Sequence, residues 1–178
     1  VTELRTEEFP DLDGDNSAGQ QTDYVADCVI ESDLELMLPV DYVPQASERI
    51  ALYQELDSIE RADQLEAFEE RLRDRFGRIP EVAGELLRVP RLRSLARKLG
   101  IEKLVLKQGQ MYTYFVSDDN KAYYQSPMFG RMLTYLQINS RRVNIRERNG
   151  RRSFIFSGIG SVSDAVATLD TILTLPSA

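Results

Sequence analysis

The chain has 178 residues, 29 acidic and 22 basic side chains, and a formal net charge of −7. That length suits one domain, or one domain with a tail. With no histidine there is no imidazole base and no ordinary zinc or haem site, and the single cysteine, Cys28, excludes an internal disulfide. No apolar run approaches the length of a membrane span and the N-terminus is acidic, unlike a signal peptide, so we expect a reduced, cytoplasmic setting.

The negative charge is concentrated at the N-terminal end. Residues 1–40 hold eleven acidic side chains and one basic one, whereas residues 41–178 hold 18 acidic and 21 basic side chains. The acidic average therefore does not argue against an anionic partner for the folded part. Residues 9–23 are rich in Asp, Gly and Ser and indicate a linker or solvated loop. Their aspartates resemble the start of a calcium loop, but Asn16 and Thr22 occupy the positions where that motif needs Gly and Glu.

The first half of the chain predicts one strand and then a block of helices. Residues 27–39 alternate in part between apolar and polar side chains and predict the strand. Apolar residues then recur at helical spacing between about 46 and 99, in four short segments. A break falls near Ser58–Arg61, Gly77 is placed to end the second helix, and Pro80 and Pro90 open the next two.

The second half predicts two hairpins, each followed by a helix. Residues 101–107 and 111–117 predict strands joined around Gly109, followed by a helix from Ser126 to about Ile138. Residues 142–148 and 152–158 predict a second hairpin, because Asn149-Gly150 is the strongest short hairpin signal. Ser161 caps a last helix to about Leu173. The order is strand, four helices, hairpin, helix, hairpin, helix. We therefore expect an α+β fold with a helical lobe and a small, mostly antiparallel sheet.

No pattern in the chain predicts catalysis. Gly158-Ile159-Gly160 lies between a strand and a helix like a nucleotide-binding loop, but the third glycine and the Lys-Ser/Thr pair are missing. We therefore interpret it as a simple strand-to-helix turn. The aromatic residues between Met111 and Phe129 favour a sheet core with tyrosine hydroxyls in water over a ligand cage.

The second predicted helix is crowded with charge. Acidic residues Glu66, Glu69, Glu70 and Asp74 alternate there with Arg71, Arg73 and Arg75. Each carboxylate has an arginine within one helical turn, so we expect these acids to be ionised and salt-bridged. The pattern is typical of a solvated charged face, and a partner-binding face is the alternative.

The second predicted hairpin is crowded with arginine. Its basic residues are Arg141, Arg142, Arg146, Arg148, Arg151 and Arg152, and only Glu147 opposes them. The candidates for contact with nucleic-acid phosphates are Arg142, Arg146, Arg148 and Arg151. Phe154 and Phe156 alternate in a pattern typical of core residues, so such a surface would have few exposed aromatic side chains. The alternative is an edge hairpin whose arginines discourage sheet-to-sheet aggregation.

Three stretches follow a recognisable pattern: LPVDYVP at the start of residues 38–56, DRFGRIP at the start of residues 74–87, and the Ala-x-x-Leu-Gly-Ile junction within residues 91–104. Together they resemble a known family, the C-terminal domain of bacterial transcription-repair coupling factors. Arg49 and Tyr53 also fit the pattern. The resemblance implies that residues 1–27 are the end of a preceding helix and an acidic linker, and that 28–178 form the regulatory domain.

The resemblance also implies a role in nucleotide-excision repair. Coupling factors are ATP- and magnesium-dependent translocases on duplex DNA, which displace stalled RNA polymerase and recruit UvrA. Their C-terminal domain is non-catalytic and needs no cofactor of its own. It docks on the N-terminal UvrB-like module of the same protein, masks the UvrA-binding surface and restrains the motor.

In the family the docking contact is an acidic pair on the helix before the Phe-Gly sequence. Asp74 matches the second acid, whereas Arg71 occupies the position of the first and Glu70 is its neighbour. The resemblance thus indicates a contact centred on Asp74, with Glu70, Arg71 and Arg75 beside it.

Overall fold

The computed structural model describes residues 24–177, so the predicted linker and calcium-like aspartates at 9–23 lie outside the described part. Within this range the fold is α+β, as predicted. The strands are β1 (Val29–Ser32), β2 (Ile101–Lys107), β3 (Gln110–Ser117), β4 (Val143–Arg148) and β5 (Arg151–Ser157). The helices are α1 (Ala46–Asp57), α2 (Ala62–Phe76), α3 (Glu81–Leu87), α4 (Val89–Lys98), α5 (Lys121–Tyr124), α6 (Pro127–Ile138) and α7 (Val162–Thr174).

The strands form one mixed sheet in the order β1-β2-β3-β5-β4. β1 pairs parallel to β2, and every other pairing is antiparallel, which confirms the mostly antiparallel sheet. Asn149 and Gly150 both have positive φ, +54° and +72°, as the tight turn between β4 and β5 requires. The sequence signal for this hairpin is therefore confirmed.

One face of the sheet is buried against helices. Leu104, Met111, Phe115, Phe154 and Phe156 on this face are each at most 1% exposed. They belong to one core cluster with apolar side chains of α4, α6 and α7. The core positions predicted for Phe154 and Phe156 are thus confirmed.

The helical lobe has smaller cores of its own. Leu56, Phe68, Leu72 and Leu87 form one cluster between α1, α2 and α3. A second cluster joins the loop before α1 to α3 and consists of Leu38, Val43 and Ala83. The four predicted helices between 46 and 99 are confirmed. Gly77 ends α2 with φ +89°, a backbone angle that favours glycine.

Two details differ from the sequence expectation. The predicted strand at 27–39 is wrong in extent, because β1 covers only Val29–Ser32. Ser32 pairs with Leu106, next to the end of β2, so β1 has no partner strand beyond this point. Ser32 Oγ then accepts from Leu34 N at 2.9 Å in a local turn, and Asp33 accepts from Gln108 N at 3.0 Å in the turn that follows β2. The short helix α5 was not predicted; Asn120 caps it by accepting from Tyr123 N at 3.1 Å.

None of the helices within residues 24–177 is long and apolar enough to cross a bilayer.

Candidate protein-interaction site

Helix α2 carries the predicted contact residues, and its inner face is fixed by burial. Phe68 and Leu72 lie one turn apart on that face and are each 1% exposed. Leu65 and Phe76 pack against the same cluster, half-buried. Because these apolar side chains face α1 and α3, the charged residues between them must face outward.

The family motif before α1 holds the far end of α2 in place. Tyr42 Oη donates to the carbonyl oxygen of Gly77 at 2.8 Å and to that of Leu72 at 3.3 Å. Its ring packs on Phe76 with the centroids 5.7 Å apart. Burial raises the pKa of the Tyr42 phenol, which keeps the hydroxyl protonated and able to donate.

Two further motif residues hold the loop itself. The amide of Leu38 donates to Tyr53 Oη at 2.8 Å. Arg49 Nη1 donates to the carbonyl oxygens of Val43 and Pro44 at 2.7 and 3.0 Å. These backbone groups lie outside regular secondary structure and find their partners in side chains. The motif residues that carried the resemblance therefore act as a scaffold for α1 and α2.

Each arginine of α2 forms an ion pair with a glutamate. Arg71 forms a two-pronged pair with Glu55 of α1, and Arg75 pairs with Glu48, also of α1. Glu55 raises the pKa of Arg71 further above its ordinary value by accepting this hydrogen bond. Within α2 itself, Arg73 Nη2 lies 3.5 Å from Glu69 Oε1.

These pairs leave an acidic stripe on the outer face of α2, which consists of Glu66, Glu70 and Asp74. The three residues follow each other at intervals of four, are exposed, and form no ion pair with any side chain between residues 24 and 177. The prediction that every carboxylate of this helix is salt-bridged holds for Glu69 and is wrong for the stripe. The reason is that Arg71 and Arg75 reach across to α1, while Arg73 pairs with Glu69.

The structure thus brings together some of the predicted contact residues and sets others apart. Ala67, Glu70, Arg71, Arg73 and Asp74 line one shallow surface depression. Arg75 points to Glu48 instead. The Glu70–Asp74 pair, one helical turn apart, can accept hydrogen bonds from cationic groups of a partner without first breaking an internal pair.

The arginines of the β4–β5 hairpin divide into two groups. Arg142 Nη2 donates to the carbonyl oxygen of Ser157 at 3.4 Å, and Arg151 pairs with Glu102. Arg152 Nε lies 3.1 Å from Glu147 and 3.2 Å from Asp118. Arg146 and Arg148 are exposed and have no acidic partner among residues 24–177.

Sequence reasoning missed Glu85, which joins the helical lobe (α1–α3) to the sheet lobe, that is, the sheet with α4, α6 and α7. Its carboxylate accepts from the amides of Val162 and Ser163, at 2.6 and 3.4 Å, at the start of α7. It also pairs with Arg88 at 2.9 Å. An anion at a helix N-terminus satisfies free amides and favours the helix dipole. No local spacing could reveal this contact, because Glu85 lies 77 residues from Val162.

The predicted local cap of α7 is also present. Ser161 Oγ accepts from Asp164 N at 2.9 Å. Gly158-Ile159-Gly160 forms the strand-to-helix turn that precedes it, with Gly158 at φ +74°. Across residues 24–177 no group of three or more acidic or cysteine side chains is arranged to hold a metal ion.

Comparison with known proteins identifies the family. The family model for the TRCF domain matches residues 32–126, which is more than half of the chain. The chain therefore belongs to the TRCF domain family, in agreement with the motifs at 38–44 and 74–80.

Two curated relatives are transcription-repair-coupling factors. That of Escherichia coli (strain K12) is 39% identical over 75 residues, covering 42% of this chain and 6% of the relative. That of Helicobacter pylori (strain ATCC 700392 / 26695) is 31% identical over 104 residues, covering 55% of this chain and 10% of the relative. The chain thus spans a tenth or less of these proteins.

A solved structure shares the fold. The crystal structure of the C-terminal domain of a transcription-repair coupling factor superposes with a TM-score of 0.65. The match covers 84% of this chain and 94% of that one, at 18% sequence identity.

Proposed function

We propose that this chain is the non-catalytic, autoinhibitory C-terminal domain of a cytoplasmic transcription-repair coupling factor. In this proposal it docks through α2 on the N-terminal UvrB-like module of the same protein. The parent is a translocase on duplex DNA that uses ATP and magnesium, displaces stalled RNA polymerase and recruits UvrA. The domain described here contributes a contact surface and holds no cofactor.

The observation that carries this proposal is the unpaired acidic stripe. Glu70 and Asp74 lie on a rigid helix whose inner face is buried, and neither is engaged by a neighbouring arginine within residues 24–177. Two unengaged carboxylates one helical turn apart suit a partner that presents arginines, because guanidinium groups bind carboxylates with two parallel hydrogen bonds. Because the helix backbone is already folded, docking orders only side chains on the domain side, at about 0.5–1.5 kcal/mol each.

The proposal also accounts for Arg71, which stands where the family pattern has an acid. Its guanidinium is turned to Glu55 on α1, so its charge is neutralised within the domain. Glu70, the adjacent residue, and Asp74 then supply the negative pair in its place. The acidic contact is thereby retained with one member shifted by one position along the helix.

Regulation follows from competition between two states. When the domain is docked, the UvrA-binding surface of the N-terminal module is covered, and exposing it costs the free energy of docking. Binding of the parent to polymerase favours the undocked state, and UvrA is recruited only then. The domain needs no chemistry of its own for this effect.

A binding titration of the chain against the separately produced UvrB-like module tests the proposal. We expect Asp74→Lys to weaken binding about tenfold or more, because it places a cation opposite the partner's arginines. Asp119→Lys is the matched control, since Asp119 is an exposed carboxylate in the turn after β3, on the sheet lobe. Equal affinity of the wild type and Asp74→Lys would contradict the proposal.

A further inference from the structure

The sheet has a second face, opposite the helices, that the docking proposal does not use. We call it the open sheet face and define it by Lys103, Lys107, Tyr112, Tyr114, Arg146 and Arg148. Residues that pair directly across neighbouring strands have their side chains on the same face of the sheet. Tyr114 pairs with Lys103 on β2 and with Ser153 on β5, and Ser153 pairs with Arg146 on β4, so these residues share the face opposite the core. Core-facing Phe154 is 1% exposed, whereas Tyr114 is 37% exposed.

Two tyrosines form the centre of this face. Tyr112 and Tyr114 lie two residues apart on β3, which places them about 7 Å apart on the same side of the sheet. Ile155 pairs with Tyr112 and is 5% exposed, so the middle of the face has an apolar floor. Tyr112 Oη donates to Gln110 Oε1 at 2.8 Å, which fixes the ring.

Cationic groups surround the tyrosines. Lys107 Nζ lies 5.0 Å from the centre of the Tyr112 ring. Arg146 and Arg148 alternate along the edge strand β4 and have no acidic partner among residues 24–177. Two acids offset part of this charge: Glu31 lies 3.6 Å from Lys103, and Glu102 pairs with Arg151. Lys107 and the two arginines of β4 therefore provide the positive charge of this face that no ion pair among residues 24–177 offsets.

We propose that the open sheet face binds single-stranded nucleic acid, independently of the docking function of α2. Bases stack on aromatic side chains of a sheet, while the phosphates are held by adjacent Lys and Arg residues. The two tyrosine rings receive successive bases, and Arg146 and Arg148 contact the backbone that leaves them. Recognition of this kind tolerates any sequence, because every base has a π-face.

The same features disfavour a duplex as the ligand. In a duplex the base faces are stacked on one another, so tyrosine rings on a flat sheet gain nothing from them. A duplex would be held by charge alone, without any contribution from the two tyrosine rings. The face should therefore bind a single strand more tightly than a duplex of the same length.

Fluorescence anisotropy of the 178-residue chain with a labelled thymidine oligonucleotide of about 20 nucleotides tests the inference. We expect Tyr114→Ser to weaken binding about 5- to 100-fold, whereas Tyr114→Phe, which keeps the ring, should leave it unchanged. Replacing Arg146 and Arg148 with Gln should reduce the slope of log affinity against log salt by about 1.4. Replacing Arg78, which is exposed in the bend between α2 and α3, and Lys98, which is exposed at the end of α4, with Gln is the charge-matched control.

Three outcomes would overturn the inference. They are equal binding of the single strand and a duplex of the same length, binding that Tyr114→Ser leaves intact, and no binding at low salt. A synthetic peptide of residues 6–23, which is acidic, serves as a competitor. Tyrosine-independent binding of this peptide, with no oligonucleotide binding, would assign the face to an acidic protein segment instead. Circular dichroism confirms that the variants are folded.

Discussion

Helix α2 and the β4–β5 hairpin are both rich in arginine, yet they present opposite charges to solvent. On α2, Arg71, Arg73 and Arg75 each pair with a glutamate, and unpaired Glu70 and Asp74 remain. On the hairpin, Arg151 and Arg152 pair with acids of the sheet lobe.

The local count of charged residues gives the sign of each surface, and pairing decides which individual charges stay available to a partner. Along the sequence α2 is a mixed run with a small acidic excess, whereas the hairpin is a basic run. In the fold, α2 offers carboxylates and the hairpin offers Arg146 and Arg148. The two surfaces therefore suit partners of opposite charge: arginines of a protein module for α2, and phosphates for the open sheet face.

The substitution with the largest expected effect on stability tests whether α2 is held in place by its buried face. Phe68→Ala should lower the free energy of unfolding by about 3–5 kcal/mol, because Phe68 is 1% exposed and its removal leaves a cavity. Ile145→Ala on β4, where Ile145 is 47% exposed, should change it by about 0.5 kcal/mol or less. Denaturant titration measures both. A small loss for Phe68→Ala would mean that α2 is held mainly by its surface ion pairs.

The next largest effect on stability is expected at Glu85, whose carboxylate joins α3 to the start of α7. Glu85→Gln should cost about 1–2 kcal/mol of unfolding free energy, because the charged acceptor for the first amides of α7 is lost. The control is Glu81→Gln, at an exposed position in the first turn of α3. Hydrogen exchange should accelerate at Val162 and Ser163 in the Glu85 variant alone. Unchanged exchange there would contradict the capping role.

The pH dependence of the free energy of unfolding tests the buried environment of Cys28, which is 2% exposed. Burial raises the pKa of the Cys28 thiol from 9.0 to about 12. The folded state then holds a proton that the unfolded state loses, so stability is complete below pH 9 and falls as the pH rises towards 12. We expect a loss of about 1 kcal/mol between pH 9 and pH 10 from this group.

Cys28→Ser isolates this contribution, since Tyr124 also has its pKa raised by burial, to about 12. The difference between wild type and variant in the pH dependence of unfolding should show the fall that we assign to Cys28. Parallel curves would show that the thiol ionises as easily in the folded chain as in the unfolded one.

Glu55→Gln is expected to change stability least, but it tests the surface charge of α2 most directly. Glu55→Gln removes the partner of Arg71 and should change the free energy of unfolding by only about 0–1 kcal/mol, because the pair is largely exposed. It frees a guanidinium next to Glu70, so α2 should lose part of its negative surface and bind the UvrB-like module severalfold more weakly. Unaltered binding would mean that the state of Arg71 does not matter for docking.

Much of the fold could be predicted from the sequence because its signals are local. Asn149-Gly150, Gly77 and Ser161 mark a hairpin, a helix end and a helix start, and each acts within a few residues. The strand predicted at 27–39 was too long because its period-2 pattern continues past Ser32. There the partner strand β2 ends and Ser32 forms a local turn with Leu34, and the alternation alone shows neither.

The candidate site could be predicted only in part. The resemblance pointed to α2 and Asp74, but whether its carboxylates are paired depends on Glu48 and Glu55, which lie on another helix. Glu85 was missed for the same reason, since its partners are distant in sequence. The exposure of Tyr114 beside Arg146 required the strand order, in which β5 lies between β3 and β4.

The most direct test of the account measures UvrA affinity for the full-length coupling factor with the double substitution Glu70→Lys and Asp74→Lys. If α2 holds the closed state, this variant should bind UvrA more tightly than the wild type, while Asp119→Lys should match the wild type. An unchanged UvrA affinity in the double variant, with the domain folded, would contradict docking through the acidic stripe.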